Sequence, residues 1–405
     1  MQCQFGEGEM QVRISKVEPI PILVELPAGT KAPISVPHAE QTASTIFKGY
    51  RTCLVRVHTD EGLTGVGECM TRLAPQATAA VVSEVGEVLT GVDPVETSVA
   101  WELMFALMMN RGHLKGFFME ALSGIDVALW DLKGKILNRP VYKLLGGAQR
   151  KKIWAYASSL RFRGIETTVE EAKEFVARGY NAMKLKLGRN PHRFESDLEL
   201  ATAVRQAVGP DVFLSADANC GMERTAAMQL ARGLEKLNFA WLEEPLAPDD
   251  LDGYAEMARA LDMPIAGGET EFTRFGFREI FNRKAMDIIQ PNVTRSGGFT
   301  ECMRIAAMAE AFHVPYAPHT GSGTAVCMAA ELHLAAALTN FLIYEHMQSD
   351  WSKTFNNPLR NGIVKKSAER VEKGYMLLPP GPGLGIELDD EVINRYRLDR
   401  KMAGR

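Results

Sequence analysis

Along the second half of this chain, side chains able to carry charge or move protons recur at intervals of 23 to 31 residues. They are Lys186 in NAMKLKLG, Asp217 in SADAN, Glu243 in WLEEP, Glu269 in AGGET, Asn292 in IIQPN, His319 in APHTG and Glu345 in LIYEH. Each closes a short apolar run. Asp217, Glu243 and Glu269 would repel one another at a common point unless a divalent cation lay between them, and an all-oxygen set suits Mg²⁺. Any one of them alone reads equally as a helix cap or a solvated acid. Lys184 precedes Lys186 by two residues, so on a strand both ammonium groups share a face. A neighbouring ammonium and a nearby metal ion lower a lysine's affinity for its proton, which fits Lys186 for work as a general base. His319 is a second acid/base candidate. A proton removed next to a carboxylate leaves an enolate, which a bound cation stabilises. Glu345, if held protonated in a partly dry site, can donate a hydrogen bond to that enolate.

The elements that must position these groups are legible as two textures. The first part opens with strand-like VRISKVEPIPILVEL and CLVRVHTDEGLTGVGEC, the latter with a DEG hairpin signal. Between them runs a long polar stretch from Pro27 to Tyr50, and from Pro75 to Lys143 the apolar spacing becomes helical. After LLGGAQR, eight apolar runs (KIWAYAS, NAMKLKL, VFLSAD, FAWLEE, MPIAGGE, MDIIQPN, VPYAPH, FLIYEH) alternate with amphipathic helical segments. Eight strands with helical crossovers predict a parallel α/β barrel, whose chemistry gathers at the C-terminal ends of the strands. An open doubly wound sheet shares the alternation but gives no reason for a functional group at every strand end.

With 405 residues, 46% of them hydrophobic and 24% charged, the chain is long enough for one large core and a smaller domain. A net charge of −4 without blocks of like charge points away from nucleic acid and membrane partners, and toward a small molecule. The six cysteines show no C-x-x-C pair and read as buried thiols in a reducing compartment. No targeting segment or membrane-length apolar run is present, so a cytoplasmic location is expected.

The ordered set SGIDVALWDLKGK, PVYKLLGG, K-L-K at 184–186, D-A-N at 217–219, WLEEP, GGET, SGG at 296–298, P-H-T and PPGPGLGIELD resembles the enolase superfamily, in its mandelate racemase-like branch. The resemblance covers almost the whole chain. It implies a modified TIM barrel, (β/α)7β, over 141–375, an α+β capping domain with specificity loops over 1–140, and a C-terminal segment, 376–405, that returns to the cap. It implies one Mg²⁺ at Asp217, Glu243 and Glu269, with Lys186 as the base on one face of the substrate. Lys184 is matched to an assistant that contacts the substrate carboxylate and tunes its neighbour. His319 matches the acid/base on the opposite face, and Glu345 the acidic group at the enolate. A homo-oligomer is also expected.

One position departs from that pattern. The branch usually carries an Asp beside the histidine, and muconate-cycloisomerase-like members a Lys, where this chain has Asn292. An amide orients an imidazole without stabilising its cation, so His319 should be a weaker base, which disfavours racemisation. Dehydration asks less of it: Lys186 takes the α-proton and His319 protonates the departing β-hydroxyl. The expected activity is therefore dehydration of an acid sugar or related hydroxy-carboxylate to a 2-keto-3-deoxy acid. An epimerase or sugar-lactone cycloisomerase is the alternative, and a metal-binding but inert relative the third reading. Candidate substrate contacts are Asn219 and, from the cap, Lys48, Arg51 and His38.

Overall fold

The computed structural model describes residues 12–26, 48–348 and 357–399. In the cap, β1 (Ile14–Glu25), β2 (Gly49–Thr59) and β3 (Thr64–Cys69) form an antiparallel sheet in that order. The DEG turn joins β2 to β3, with Gly62 at φ +80°, a conformation that glycine adopts without strain. Helices α1 (Pro75–Glu87), α2 (Thr97–Ala106) and α3 (Phe117–Ile136) follow, and a short α4 (Val141–Leu144) leads out of the cap. β3 lies directly on α3: a side chain at Gly67 would collide with the Gly124 carbonyl, so the close approach needs glycine there.

Helix α3 is buried along most of its length, and its few polar groups are spent on neighbours. Asp126 accepts hydrogen bonds from the Thr300 hydroxyl (2.6 Å) and amide (3.1 Å), and Ser123 Oγ accepts from the Gly297 amide (2.8 Å). Asp131 accepts from the amides of Val66 (2.9 Å) and Leu384 (2.7 Å). One helix thus ties cap sheet, barrel and tail together.

The barrel strands are β4 (Lys152–Leu160), β5 (Ala182–Lys186), β6 (Phe213–Asp217), β7 (Leu242–Glu243), β8 (Ile265–Gly267) and β9 (Ile288–Ile289), parallel and in sequence order. Tyr316 bridges Ile289 and Phe341 as the seventh strand position, and β10 (Tyr344–Met347) pairs parallel with β4 to close the ring. The crossovers are α5 (Ile165–Ala177), α6 (Glu195–Val208), α7 (Arg224–Lys236), α8 (Leu251–Ala260), α9 (Thr273–Arg283), α10 (Gly298–Ala311) and α11 (Ala325–Ala337). Seven helices between eight strand positions make a (β/α)7β barrel. Strands of this kind are covered on both faces, which is why they read as short apolar runs.

Tyr156, Trp241, Ala266, Ile288, Ala317 and Ile343 pack together inside the barrel, Tyr156 meeting Trp241 edge-on at 5.6 Å. This apolar plug leaves the polar groups at the strands' C-terminal ends. The tail carries α12 (Pro358–Asn361), β11 (Val364–Lys366), β12 (Val371–Glu372), β13 (Tyr375–Leu377), β14 (Glu387–Leu388) and α13 (Asp390–Tyr396). β13 pairs with β4, while Arg397 bridges Ile22 of β1 and bonds Glu18 at 3.2 Å. Cys53, Cys69, Cys220, Cys302 and Cys327 are free thiols, as expected for these positions.

Candidate active site

Alternation along β5 turns Met183 and Leu185 into the hydrophobic core and Lys184 and Lys186 inward. Lys184 is completely buried, with Nζ 2.6 Å from Glu243 Oε1, 3.0 Å from Glu345 Oε1 and 3.7 Å from Asp217 Oδ2. Burial disfavours its charge, but Glu243 and Glu345 outweigh that and raise its pKa well above the ordinary value. Lys184 is therefore a fixed ammonium beneath the site. The resemblance matched it to a contact with the substrate carboxylate; here three acids enclose it, and Lys186 is the more exposed of the two lysines. Lys186 pairs with Asp217 and keeps some exposure.

Burial works against the Asp217 charge, yet Lys186 and Lys184 hold its pKa down to about 2. Asn219, at φ 45°, donates its amide to Asp217 Oδ1 (2.8 Å), with Nδ2 3.5 Å from Oδ2. It orients this acid from a partly exposed position. Glu243 Oε2 accepts from Gln290 Nε2 (2.7 Å) and Trp241 Nε1 (3.2 Å). Burial, with Asp217 and Glu345 reinforcing it against Lys184, pushes the Glu243 carboxyl up to about 8. Glu269 Oε1 accepts from Arg72 Nη2, and Oε2 lies beside His319 Nε2, both at 3.1 Å. Its pKa lies below the ordinary value because His319 and Arg72 outweigh burial.

As placed, these three acids do not converge on one ligating point; each is held by a cation or an N–H donor. The donor set nevertheless fits a hard divalent ion. Asp217 and Glu243 are direct register partners on β6 and β7, and Glu269 lies just past β8. The Lys184 ammonium already stands as a cation within 3.7 Å of both Asp217 and Glu243. Five buried carboxyl groups (Asp217, Glu243, Glu244, Glu269, Glu345) gather here, and crowding and burial raise the pKa of Glu243 and Glu244. An added cation would relieve that crowding.

Across the mouth, Asn292 Oδ1 accepts the amide (2.9 Å) and hydroxyl (2.6 Å) of Thr294. Its Nδ2 donates to the His319 carbonyl (2.7 Å) and lies 3.3 Å from His319 Nδ1. A peptide N–H can only donate and a carbonyl only accept, so the amide orientation is fixed by its partners. Nδ1 therefore faces a donor, and Arg72 Nη2, also a donor, lies 3.4 Å from Nε2, so each ring nitrogen faces an N–H group. An aspartate here would instead accept a proton from Nδ1. Burial pushes the His319 pKa down to about 4, Glu269 and Glu345 opposing and Arg72 and Lys184 reinforcing the shift. A lowered pKa makes the imidazole a weaker base.

Glu345 departs from expectation. Its Oε1 accepts from Ser158 Oγ (2.7 Å) and pairs with Lys184, while Oε2 accepts the amides of Thr320 (2.7 Å) and Gly321 (3.0 Å). Despite burial, Lys184, His319 and these donors hold its pKa well below the ordinary value, which favours the carboxylate form.

Residues 29–146 match the family model for the mandelate racemase/muconate lactonizing enzyme N-terminal domain, and 167–392 that for the enolase C-terminal domain-like unit. The chain belongs to the enolase superfamily. It is 35% identical to D-galactarolactone cycloisomerase of Agrobacterium fabrum, over 88% of this chain and 94% of that one. It is 34% identical to arabinonate dehydratase of Saccharolobus solfataricus, over 84% and 89%. Among solved structures, 3,6-anhydro-D-galactonate cycloisomerase from Zobellia galactanivorans superposes with a TM-score of 0.83 at 33% identity, covering 95% of this chain and 99% of that one. Members of the superfamily generally use Mg²⁺.

In this enolase-superfamily barrel the cap contributes a residue that the sequence spacing did not reveal. Arg72 follows β3 and extends its guanidinium to Glu269 and His319. The regular step between strand ends carries no information about a loop so far upstream. Arg51, proposed for the substrate, instead donates Nη1 to the Leu73 carbonyl (2.7 Å) and holds that loop. Lys48 pairs with Glu25 at the surface (3.6 Å), away from the acids, and His38 lies outside the described residues.

Proposed function

We propose that this chain is a Mg²⁺-dependent dehydratase of an acid sugar or related hydroxy-carboxylate, forming a 2-keto-3-deoxy acid. The observation that carries this reading is the contrast between the two walls. Lys186 stands at the mouth in a carboxylate-rich pocket, while on the other wall the Asn292 amide faces His319 Nδ1 and the Arg72 guanidinium faces Nε2. Asp217, Glu243 and Glu269 would hold Mg²⁺, which when bound stabilises negative charge developing on the substrate carboxylate. Lys186 Nζ accepts the α-proton, and Lys184, locked among Glu243, Glu345 and Asp217, keeps a positive charge beneath the enolate. His319 then gives its Nε2 proton to the oxygen leaving the β-carbon.

The relatives' names favour a second reading in which that β-oxygen belongs to a ring, so that the same steps open a lactone or cyclic ether. Inversion at the α-carbon needs a base on each wall, and the donor pattern at Asn292 argues against it. The test incubates the protein with Mg²⁺ and aldonates, aldarates and their lactones, assaying 2-keto acid and α-proton exchange in deuterated water. We expect both signals from at least one acid, and neither after chelation. Exchange without keto acid would replace the dehydratase by an epimerase, and absence of both would favour an inert metal-binding relative.

A further inference from the structure

We propose that Arg72 is a catalytic residue of this site: its guanidinium binds the oxygen that leaves the substrate's β-carbon, sharing that atom with the Nε2–H of His319. The inference rests on the reading that Lys186 removes the α-proton. Among the described residues, the polar contacts of Arg72 all run through Nη2, to Glu269 Oε1 (3.1 Å), to His319 Nε2 (3.4 Å) and to the Gly321 carbonyl (3.5 Å). Its side chain is 42% exposed, which leaves the N–H groups on Nε and Nη1 for a ligand at the mouth. Nη2 lies 3.4 Å from His319 Nε2, so a substrate oxygen placed between the two groups can meet both.

The loop that carries Arg72 is held on both sides. The Met70 amide donates to the Thr294 carbonyl (3.1 Å), beside Asn292, and Arg51 donates to the Leu73 carbonyl (2.7 Å). The cation is thus placed by the cap on the histidine wall and away from the lysine wall.

Chemistry gives it a task there. Asn292 is an amide and brings no charge to the histidine wall. A permanent cation beside the leaving oxygen offsets the negative charge that develops on it. In the proposed step the enolate electron pair forms the Cα–Cβ double bond and the Cβ–O bond breaks with its pair on oxygen. That oxygen takes the Nε2 proton and departs as water. The proton gained by Lys186 and the one lost by His319 balance through solvent at the open mouth.

Arg72→Met and Arg72→Lys, assayed with Mg²⁺ and a substrate acid in deuterated water, separate elimination from exchange. We expect Arg72→Met to keep α-proton exchange near the wild-type rate while keto-acid formation falls by about 10²-fold, the scale of one lost oxyanion donor. Arg72→Lys should recover part of that loss. A parallel fall of exchange and elimination, or unchanged elimination, would overturn the proposal. Calorimetry should find Mg²⁺ bound by Arg72→Met at least as well as by wild type; lost binding would make Arg72 a positioning residue for Glu269 and also overturn it. If the wild-type protein binds Mg²⁺ but shows no exchange, the Lys186 reading fails first and this proposal falls with it.

Discussion

On the wall formed by β5, β6 and β7, ammonium groups and carboxylates meet directly, and charge there is dense and mutually fixed. On the wall formed by the loops after β9 and Tyr316, a neutral amide faces the imidazole, and the nearest cation, Arg72, arrives from the cap. Both walls are buried and both carry groups able to exchange protons. The difference lies in the partners: on one wall Lys186 pairs with the Asp217 carboxylate, on the other the Asn292 amide donor faces His319 Nδ1. An enolate enzyme that must reverse a stereocentre needs matched walls, whereas one that expels a β-oxygen is served by unmatched ones.

Replacing Lys186 by Met should give the largest effect, a loss of turnover of about 10³-fold with the fold intact, because general-base catalysis contributes on that scale. Steady-state keto-acid formation together with the circular dichroism spectrum checks both halves. Lys184→Met should behave differently although it removes the same charge two residues away. It leaves Glu243, Glu345 and Asp217 without their shared ammonium, at a cost of about 3–5 kcal/mol. Urea unfolding should therefore find it destabilised in chelator and partly restored by Mg²⁺; an unchanged midpoint would remove the fixed-counterion role.

Asn292→Asp is the change that brings the walls toward equality. A carboxylate beside Nδ1 favours the Nδ1–H tautomer and raises the His319 pKa above its present value of about 4, leaving a lone pair at Nε2. Recovered substrate should then show inversion at the α-carbon by NMR, which wild type should not. The same variant should lose about 1–3 kcal/mol, since an oxygen would face the His319 carbonyl where Nδ2 now donates at 2.7 Å. Inversion absent from a folded Asn292→Asp protein would show that the amide is not what separates the walls.

The smallest effect concerns Asp126, away from the chemistry, where cap helix α3 meets α10. Burial pushes its carboxyl up from 3.8 to about 7 against hydrogen bonds from Thr300. The folded protein therefore holds a proton that the unfolded chain releases at lower pH. This stability is fully present below about pH 4 and is lost as pH rises through about 7. Asp126→Asn should flatten that slope, and urea midpoints compared between pH 4 and 7 check it.

The sequence carried the barrel well because its signal is local. Each apolar run is one strand, and the polar residue after it marks the mouth, even where the strand shrinks to Leu242–Glu243 or to the single bridge at Tyr316. It put the acids, Lys186 and His319 at or just past strand ends for the same reason. What it could not carry depends on distant partners. Glu345 looked like a hydrogen-bond donor, but the Thr320 and Gly321 amides and Lys184 favour its carboxylate form. Lys184 was matched to a substrate contact, and three acids from other strands enclose it. Arg72 had no periodic position to give it away, and Arg51, which did attract attention, supports the loop that bears it.

The most direct test of unequal walls is α-proton exchange followed by NMR in deuterated water, with Mg²⁺ and a substrate acid, in Lys186→Met and His319→Asn side by side. We predict that Lys186→Met shows no exchange, and that His319→Asn keeps exchanging while its keto-acid formation falls by about 10²-fold. Exchange that survives in Lys186→Met and disappears in His319→Asn would contradict the account.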